Sequence, residues 1–195
     1  MMQHCFIAMG FAALAATAAS AQQKNTVPPP PKPADNGPRL EVTMKFLQDK
    51  LNSVGPMNYV THFHDNAVGD HWTSQARDQV TNVVAYPAEC HITYHWKSVE
   101  NGKLIRDVDQ GFSLKDIESV SVKPMEQGLK NAAIAQGHSA WSVKVDPPIY
   151  VIEAHRTDKG FNAFPFFDER LANRVAEAMI HAVELCGGGS KPKPF

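Results

Sequence analysis

One segment of the chain alternates strictly between apolar and polar side chains and is followed by a turn. Within residues 90–99, the residues Cys90, Ile92, Tyr94 and Trp96 are apolar, and a histidine, threonine or lysine follows each of them. A period of two predicts a β-strand with one buried face. The Asn101-Gly102 pair that follows is typical of a hairpin turn, so residues 103–108 are expected to return antiparallel to this strand.

Further segments rich in β-branched and aromatic residues predict strands over residues 79–86, 110–114, 119–123, 140–145, 149–156 and 163–167. Few helical patterns separate them, which favours an antiparallel meander over βαβ units. The main interruption, residues 123–139, predicts a long loop with a helical turn near 126–135. We therefore expect an α+β fold with an antiparallel sheet, or a partly open barrel, of about seven strands.

Two amphipathic helices are predicted to flank these strands. Apolar residues recur at spacings of three and four from Leu40 to Val54, where a glycine–proline pair ends the pattern. Mixed charge on this helix favours covering the core over binding a partner or a membrane. Near the other end, Asp168 is suited to cap a helix whose apolar stripe runs to Cys186, before three glycines.

The first 21 residues have the pattern of a secretory signal peptide. They contain no Asp, Glu, Lys or Arg and end in Ala19-Ser20-Ala21, a small-residue cleavage site. The apolar stretch, residues 6–19, is shorter than the roughly 20 residues that a membrane span needs. We therefore expect cleavage and no integral membrane segment afterwards, with retention as a single-span anchor as the alternative. The protein is predicted to be exported, either periplasmic or secreted.

The rest of the chain divides into a linker, a domain and a tail. Residues 22–39 contain four consecutive prolines and predict an extended linker. Residues 40–189 are expected to form a single α+β domain, and residues 190–195 a flexible tail. The full chain has 19 basic and 20 acidic residues without a run of one sign, so a nucleic-acid surface is not expected.

The predicted export makes a disulfide between the two later cysteines possible. Cys90 lies on the apolar face of its strand and Cys186 on the apolar stripe of its helix, so both thiols are expected to point into one core. We predict a Cys90–Cys186 disulfide, with two buried free thiols as the alternative. Closing so long a loop would stabilise the fold by up to ~4–5 kcal/mol in the chain-entropy model.

This order of elements resembles the pleckstrin-homology-like superfold. The segment FPFFDERLANRVAEAMIHAVELC is similar to its final strand and capping helix, and the resemblance covers residues 75–186. The segments MKFLQDKLN and AVELCGG are also similar to uncharacterised exported bacterial proteins. The resemblance implies a fold but no ligand. Phosphoinositide binding, known from some members, needs clustered basic residues in the early strand loops, where this chain has only Lys97, Lys103 and Arg106.

Histidines are densest in the segment THFHDNAVGDHW, which contains His62, His64 and His71. Imidazole is a common metal ligand, and His62 and His64 would share a face of an extended chain. A metal-binding or metal-dependent hydrolytic domain that uses these three histidines is therefore the alternative function. The ordinary interpretation is a polar loop around Gly69, because no fixed metal-ligand spacing is present.

No recognisable catalytic signature is present, and no cofactor is predicted. Asp107 and Asp109 have the spacing of a solvent-facing strand surface, as do His91 and His95. We expect a noncatalytic exported domain that binds a protein or a small ligand; a purely structural envelope component is not distinguished from it.

The partner surface is expected either in the loop of residues 123–139 or near Phe164 and Phe166. These two phenylalanines share one face of the last predicted strand. If that face is exposed, it forms a hydrophobic lip of the kind used for binding.

Overall fold

The structure, a computed structural model, describes residues 37–189. The predicted signal peptide, most of the proline-rich linker and the predicted tail lie outside the described residues. The helices and strands are, in chain order, α1 (Leu40–Asn52), β1 (Met57–Asp65), β2 (His71–Tyr86), β3 (His91–Glu100), β4 (Lys103–Ser113), β5 (Ile117–Pro124), α2 (Met125–Ala135), β6 (Trp141–Asp146), β7 (Tyr150–Arg156), β8 (Phe161–Phe166) and α3 (Glu169–Leu185).

The strands in this part of the chain form two antiparallel sheets. The five-stranded sheet has the order β4-β3-β2-β1-β6, and the three-stranded sheet has the order β5-β7-β8. The predicted α+β class and antiparallel pairing are confirmed. The strands number eight and are divided between two sheets, neither of which closes into a barrel.

The histidine-rich segment forms a hairpin, where a polar loop was the ordinary interpretation. β1 and β2 pair from Met57 opposite Asp78 to His64 opposite His71. Gly69 lies in the turn with φ +81°, a conformation that glycine adopts readily. The sequence pattern missed β1 because much of its inward face is only half-buried, so apolar and polar residues do not alternate clearly along it.

Two other boundaries differ from the sequence prediction. Residues 103–113 form one continuous strand, where two strands were predicted. The predicted loop of residues 123–139 is mostly the end of β5 and the helix α2. α2 packs against β6, and Glu126 fixes this contact because its Oε1 accepts the Val145 N–H at 2.9 Å.

α1 is joined to β2 by two amide side chains. The carboxamide of Asn52 donates to Val83 O at 2.8 Å and accepts from Val83 N at 2.9 Å, while Gln48 Oε1 accepts from Ala85 N. These bonds satisfy backbone groups at the irregularity of β2 between Thr81 and Val84, where the pairing with β3 shifts register. The buried side of α1 carries Met44, Leu47 and Leu51.

α3 covers the three-stranded sheet and also contacts α1. Its first turn is capped as predicted, because Asp168 Oδ1 accepts the Leu171 N–H at 3.0 Å. The predicted disulfide is present: Cys90 and Cys186 are bonded across 96 positions of sequence. It connects the residue before β3 to the residue after α3.

The main core lies between the two sheets and the two long helices. It contains Leu47, Ile92, Tyr94, Leu114, Ile152, Phe164, Phe166, Val175 and Met179 among its fully buried side chains. A second, small cluster contains Met57, Val145 and Ile149. Among the described residues, no helix has both the length and the apolar content that crossing a membrane requires.

Candidate functional site

A groove opens between the β3–β4 hairpin and the turn that joins β7 to β8. It has a volume of about 510 Å³ and is called here the β4–β8 groove. The groove lies on the same face of the five-stranded sheet as the core residues Ile92 and Tyr94. The lining residues are Asp78, Trp96, Ser98, Ile105, Arg106, Lys159, Gly160, Phe161 and Ala163.

One wall of the groove is formed by an arginine stacked on a tryptophan. Arg106 of β4 lies opposite Ser98 of β3, and Ser98 shares a face of β3 with Trp96. The guanidinium of Arg106 therefore covers the indole of Trp96. The Trp96 Nε1 donor is buried and has no acceptor among the described residues. The wall therefore combines an aromatic surface with a permanent cation.

Ile105 lies in this wall because β4 contains a bulge. The pairing passes from Ser98 opposite Arg106 to Val99 opposite Leu104, which leaves Ile105 as the extra residue. A bulge changes the direction of nearby side chains. Ile105 is 56% exposed and lines the groove, where it adds apolar surface next to the guanidinium.

The opposite wall is the β7–β8 turn. Asp158 shapes it by accepting hydrogen bonds from the Arg156 guanidinium and from Gly160 N, the latter at 2.9 Å. The Arg156 hydrogen bond is the largest cause that lowers the pKa of Asp158, so this carboxylate stays charged. Next in the chain, Lys159 has φ +69°, and Phe161 is 58% exposed.

Asp78 lines the deep side of the groove and is only 6% exposed. Tyr59 donates its hydroxyl to Asp78 Oδ2 at 2.8 Å. Burial raises the pKa of Tyr59, and the Asp78 charge and hydrogen bond raise it further, so the phenol remains protonated and keeps donating. The phenol that donates to Asp78 is neutral and cancels no charge, but the carboxylate is buried and offers little surface to a ligand in the groove.

The exposed charged side chains that line the groove are both cations, Arg106 and Lys159. Arg106 and Lys159 form no ion pair within residues 37–189. The nearby Arg156 is neutralised by Asp158, with Nη2 and Oδ2 2.6 Å apart. An anionic group that enters next to an apolar or aromatic group would meet complementary chemistry on both walls.

The three histidines of the metal hypothesis lie on one face of the five-stranded sheet. They do not form a complete set of metal ligands. His64 and His71 are opposite each other, their rings stacked 3.9 Å apart at an interplanar angle of 24°. Nitrogen lone pairs lie in the ring planes, so two stacked rings do not direct them at one ion. His62 is on the same face of β1, but no group of three or more metal-binding side chains forms in the described part.

Phe164 and Phe166 share a face as predicted, but that face is the core. Each is 1% exposed, and Phe164 packs against Tyr94 and Phe112. The exposed aromatic side chains of this region are instead Phe161 and Phe167. The aromatic surface that this region exposes is therefore formed by Phe161 and Phe167, whereas the predicted pair is buried.

His95 is the centre of a charge cluster on the opposite face of the sheet from the groove. Its Nδ1 is 2.8 Å from Asp109 Oδ1 and its Nε2 2.8 Å from Asp107 Oδ1, and Lys97 contacts Asp107. The hydrogen bond to Asp109 is the main cause that raises the pKa of His95. With a carboxylate at each ring nitrogen, this imidazole is suited to carrying charge and offers no free basic nitrogen.

Trp72 and Trp141 belong to an aromatic cluster at another end of the sheet. Phe63 stacks on Trp72, and His138 stacks on Trp141 at 3.9 Å between ring centroids. Trp141 also donates Nε1–H to Asp65 Oδ2 at 3.0 Å. These mutual contacts agree with packing as the role of both tryptophans.

Sequence reasoning did not find the groove, although it placed Trp96 on the apolar face of its strand. It named Arg106 only among the three basic residues that fall short of a phosphoinositide-binding cluster, and it did not single out Phe161. A signal for Phe161 was available in its position directly after the turn TDKG, where a side chain is close to solvent.

The chain matches no protein-family model, and comparisons with curated proteins and with solved structures found no similar protein.

Proposed function

We propose that this protein is a noncatalytic exported domain that binds a protein or a small ligand in the β4–β8 groove. The observation that carries the proposal is the exposed aromatic side chain of Phe161 facing a wall in which Arg106 covers Trp96. Exposed apolar surface bordered by charged groups is typical of a binding site.

Two features favour binding over catalysis. Cys90 and Cys186 are bonded to each other, so neither is a nucleophilic thiol. His95, the histidine with the strongest carboxylate contacts described above, has both ring nitrogens occupied. The groove itself combines cations with apolar surface, which suits recognition and supplies no nucleophile paired with a base.

Export is supported by the sequence of the first 21 residues and is compatible with the disulfide. The pleckstrin-homology-like resemblance remains part of this proposal. It agrees with two antiparallel sheets followed by a C-terminal helix, and it does not determine the ligand.

Photo-crosslinking from the groove tests the proposal. A photoreactive phenylalanine analogue would be placed at Phe161 in the mature protein, in cells that export it. The matched control carries the same analogue at Val68, which is 69% exposed in the β1–β2 turn. A specific adduct at position 161 that is lost with Arg106→Glu supports the groove; equal labelling at both positions, or none at position 161, contradicts it.

A further inference from the structure

We infer that the occupant of the β4–β8 groove is an extended peptide segment of another protein that adds as a strand to the free edge of β4. In this interpretation the peptide directs acidic and aromatic side chains into the groove. The inference rests on the proposed function and names the chemistry of its ligand.

The first step is the free edge of β4. This strand is eleven residues long, ends the five-stranded sheet and pairs only with β3 among the described strands. The residues from Lys103 to Asp109 are all exposed, including Leu104, Ile105 and Val108. A terminal strand presents a row of unpaired N–H and C=O groups, and an extended peptide can satisfy them.

The second step is the position of this edge beside the groove. Ile105 and Arg106 belong to β4 and also line the groove. Side chains of a strand alternate between the two faces of a sheet. Every second side chain of an added strand would therefore point to the same side as Arg106, toward Phe161 on the opposite wall.

The third step is charge. On the groove side the exposed charged groups are the cations Arg106 and Lys159, whereas Asp78 is buried, so an inward carboxylate next to the two cations is favoured. On the other face of β4, Asp107 and Asp109 contact His95, and Lys97 also contacts Asp107. Outward positions of the peptide would meet these aspartates, so uncharged side chains such as threonine suit them.

The same aspartates oppose pairing of β4 with a second copy of itself. A two-fold axis perpendicular to the sheet places residues of the same face opposite each other. The registers with the longest overlap are centred on Val108, Asp107 or Asp109. The register centred on Val108 places Asp107 opposite Asp109. The registers centred on Asp107 and on Asp109 each place that aspartate opposite its own copy. Like charges directly opposite each other are unfavourable, so the occupant is a different chain.

The test uses a capped octapeptide that alternates threonine with glutamate, phenylalanine, glutamate and valine. We expect it to bind the mature protein, to shift the backbone amide NMR signals of β4 and to slow exchange of β4 amide hydrogens. A control peptide with lysine in place of both glutamates is expected to bind about tenfold more weakly, because it places cations next to Arg106 and Lys159.

Charge-reversal variants locate the contact. Arg106→Glu should weaken binding of the glutamate peptide about tenfold and improve binding of the lysine peptide. Lys144→Glu makes the same charge change at an exposed position of β6 away from the groove, and it should leave both affinities within about twofold. Arg106 and Lys144 are both exposed, so neither replacement is expected to disturb folding.

Failure of this inference can be told apart from failure of the proposed function. If an aromatic carboxylate such as indole-3-acetate binds, depends on Arg106 and perturbs Phe161, but the octapeptide leaves β4 exchange unchanged, the groove binds ligands and strand addition is wrong. If β4 amides are already protected in the free mature protein, the edge is occupied by its own chain or a second copy, which also overturns the inference. If neither probe binds, the inference is wrong, and the proposed function fails as well when crosslinking from position 161 gives no specific adduct.

Discussion

The guanidinium of Arg106 lies over the indole ring of Trp96, with Cζ 5.4 Å from the ring centroid. The two residues come from neighbouring strands and share the face that borders the β4–β8 groove. An arginine held in this way keeps its charge and remains accessible on its other side. The groove therefore has a fixed cation next to apolar surface, and Phe161 faces it from the opposite wall.

Phe161 and Phe164 are on the same strand, but replacing them should affect stability very differently. Phe161→Ala removes a side chain that is 58% exposed, so the unfolding free energy is expected to change by less than about 0.5 kcal/mol. Phe164→Ala empties a core position and should cost about 3–5 kcal/mol. Urea denaturation of both variants checks this. A large loss of stability in Phe161→Ala would assign that ring to packing and weaken its role in binding.

Removal of the disulfide should lower stability without changing the position of α3. The bond closes a loop of 96 positions, so replacing both cysteines by serine is expected to cost about 2–5 kcal/mol. Denaturation of the double variant, compared with the native protein with and without reductant, measures the loss. Reduced native protein and the serine variant should agree; equal stability of oxidised and reduced protein would be inconsistent with the prediction.

The Tyr59 hydroxyl is expected to be important because its acceptor is a buried carboxylate. Tyr59→Phe leaves Asp78 without this donor and should reduce the unfolding free energy by about 1–3 kcal/mol. Tyr150→Phe is the matched control, because the Tyr150 hydroxyl forms no hydrogen bond within residues 37–189, and it should change stability little. Similar effects of the two variants in thermal denaturation would show that the Tyr59–Asp78 bond contributes nothing specific.

His95 should make stability depend on pH. Its pKa is raised by the hydrogen bond to Asp109 and by Asp107, so its contribution is complete below the unfolded value and is lost as pH rises through the folded pKa. The stability difference between native protein and His95→Asn should therefore be largest in mild acid and fall toward alkaline pH.

The lower limit of this pH window is set by Asp107. Burial raises the pKa of this carboxyl, but Lys97 and His95 lower it by more, so its contribution is lost as pH falls through the folded pKa. NMR titration of the His95 ring in native protein and in Asp109→Asn is the direct measurement. A His95 pKa that does not fall in Asp109→Asn would disprove this assignment.

Two glycines should respond to alanine in opposite ways. A Cβ at Gly188 would collide with the carbonyl oxygen of Leu114 and with Val183, so Gly188→Ala is expected to cost about 1–3 kcal/mol. A Cβ at Gly128, inside α2, meets nothing within 4 Å, so Gly128→Ala should stabilise by about 0.5–1 kcal/mol. Thermal denaturation compares them, and a neutral Gly188→Ala would mean that the segment after α3 moves away easily.

The sequence predicted elements whose buried and exposed residues differ clearly in polarity. β3 was recognised because Ile92 and Tyr94 alternate with polar residues, and α3 because one stripe of it is apolar and Asp168 precedes it. The disulfide followed from the same two patterns, since each placed one cysteine on a buried face. In these cases the local period of hydrophobicity is enough to identify both the element and its inward side.

The groove was not predictable in this way because its walls come from distant parts of the chain. Arg106 and Phe161 meet only after the two sheets take their relative positions, and no local period encodes that arrangement. Ile105 points into the groove because of a register shift at Ser98 that strict alternation does not show. The common face of Phe164 and Phe166 was correct, but whether that face is the core depends on what α3 and the larger sheet cover.

The disulfide also determines which elements of the domain a pulling force can separate. The covalent loop between Cys90 and Cys186 includes every strand from β3 to β8, whereas α1, β1 and β2 lie outside it. If the chain is held from the amino-terminal side of α1 while a partner binds β4, tension passes through the contacts that join the outside elements to the loop: α1 with α3, β1 with β6 and β2 with β3. α1, β1 and β2 would detach first. Both walls of the groove, apart from Asp78 of β2, would remain within the covalent loop.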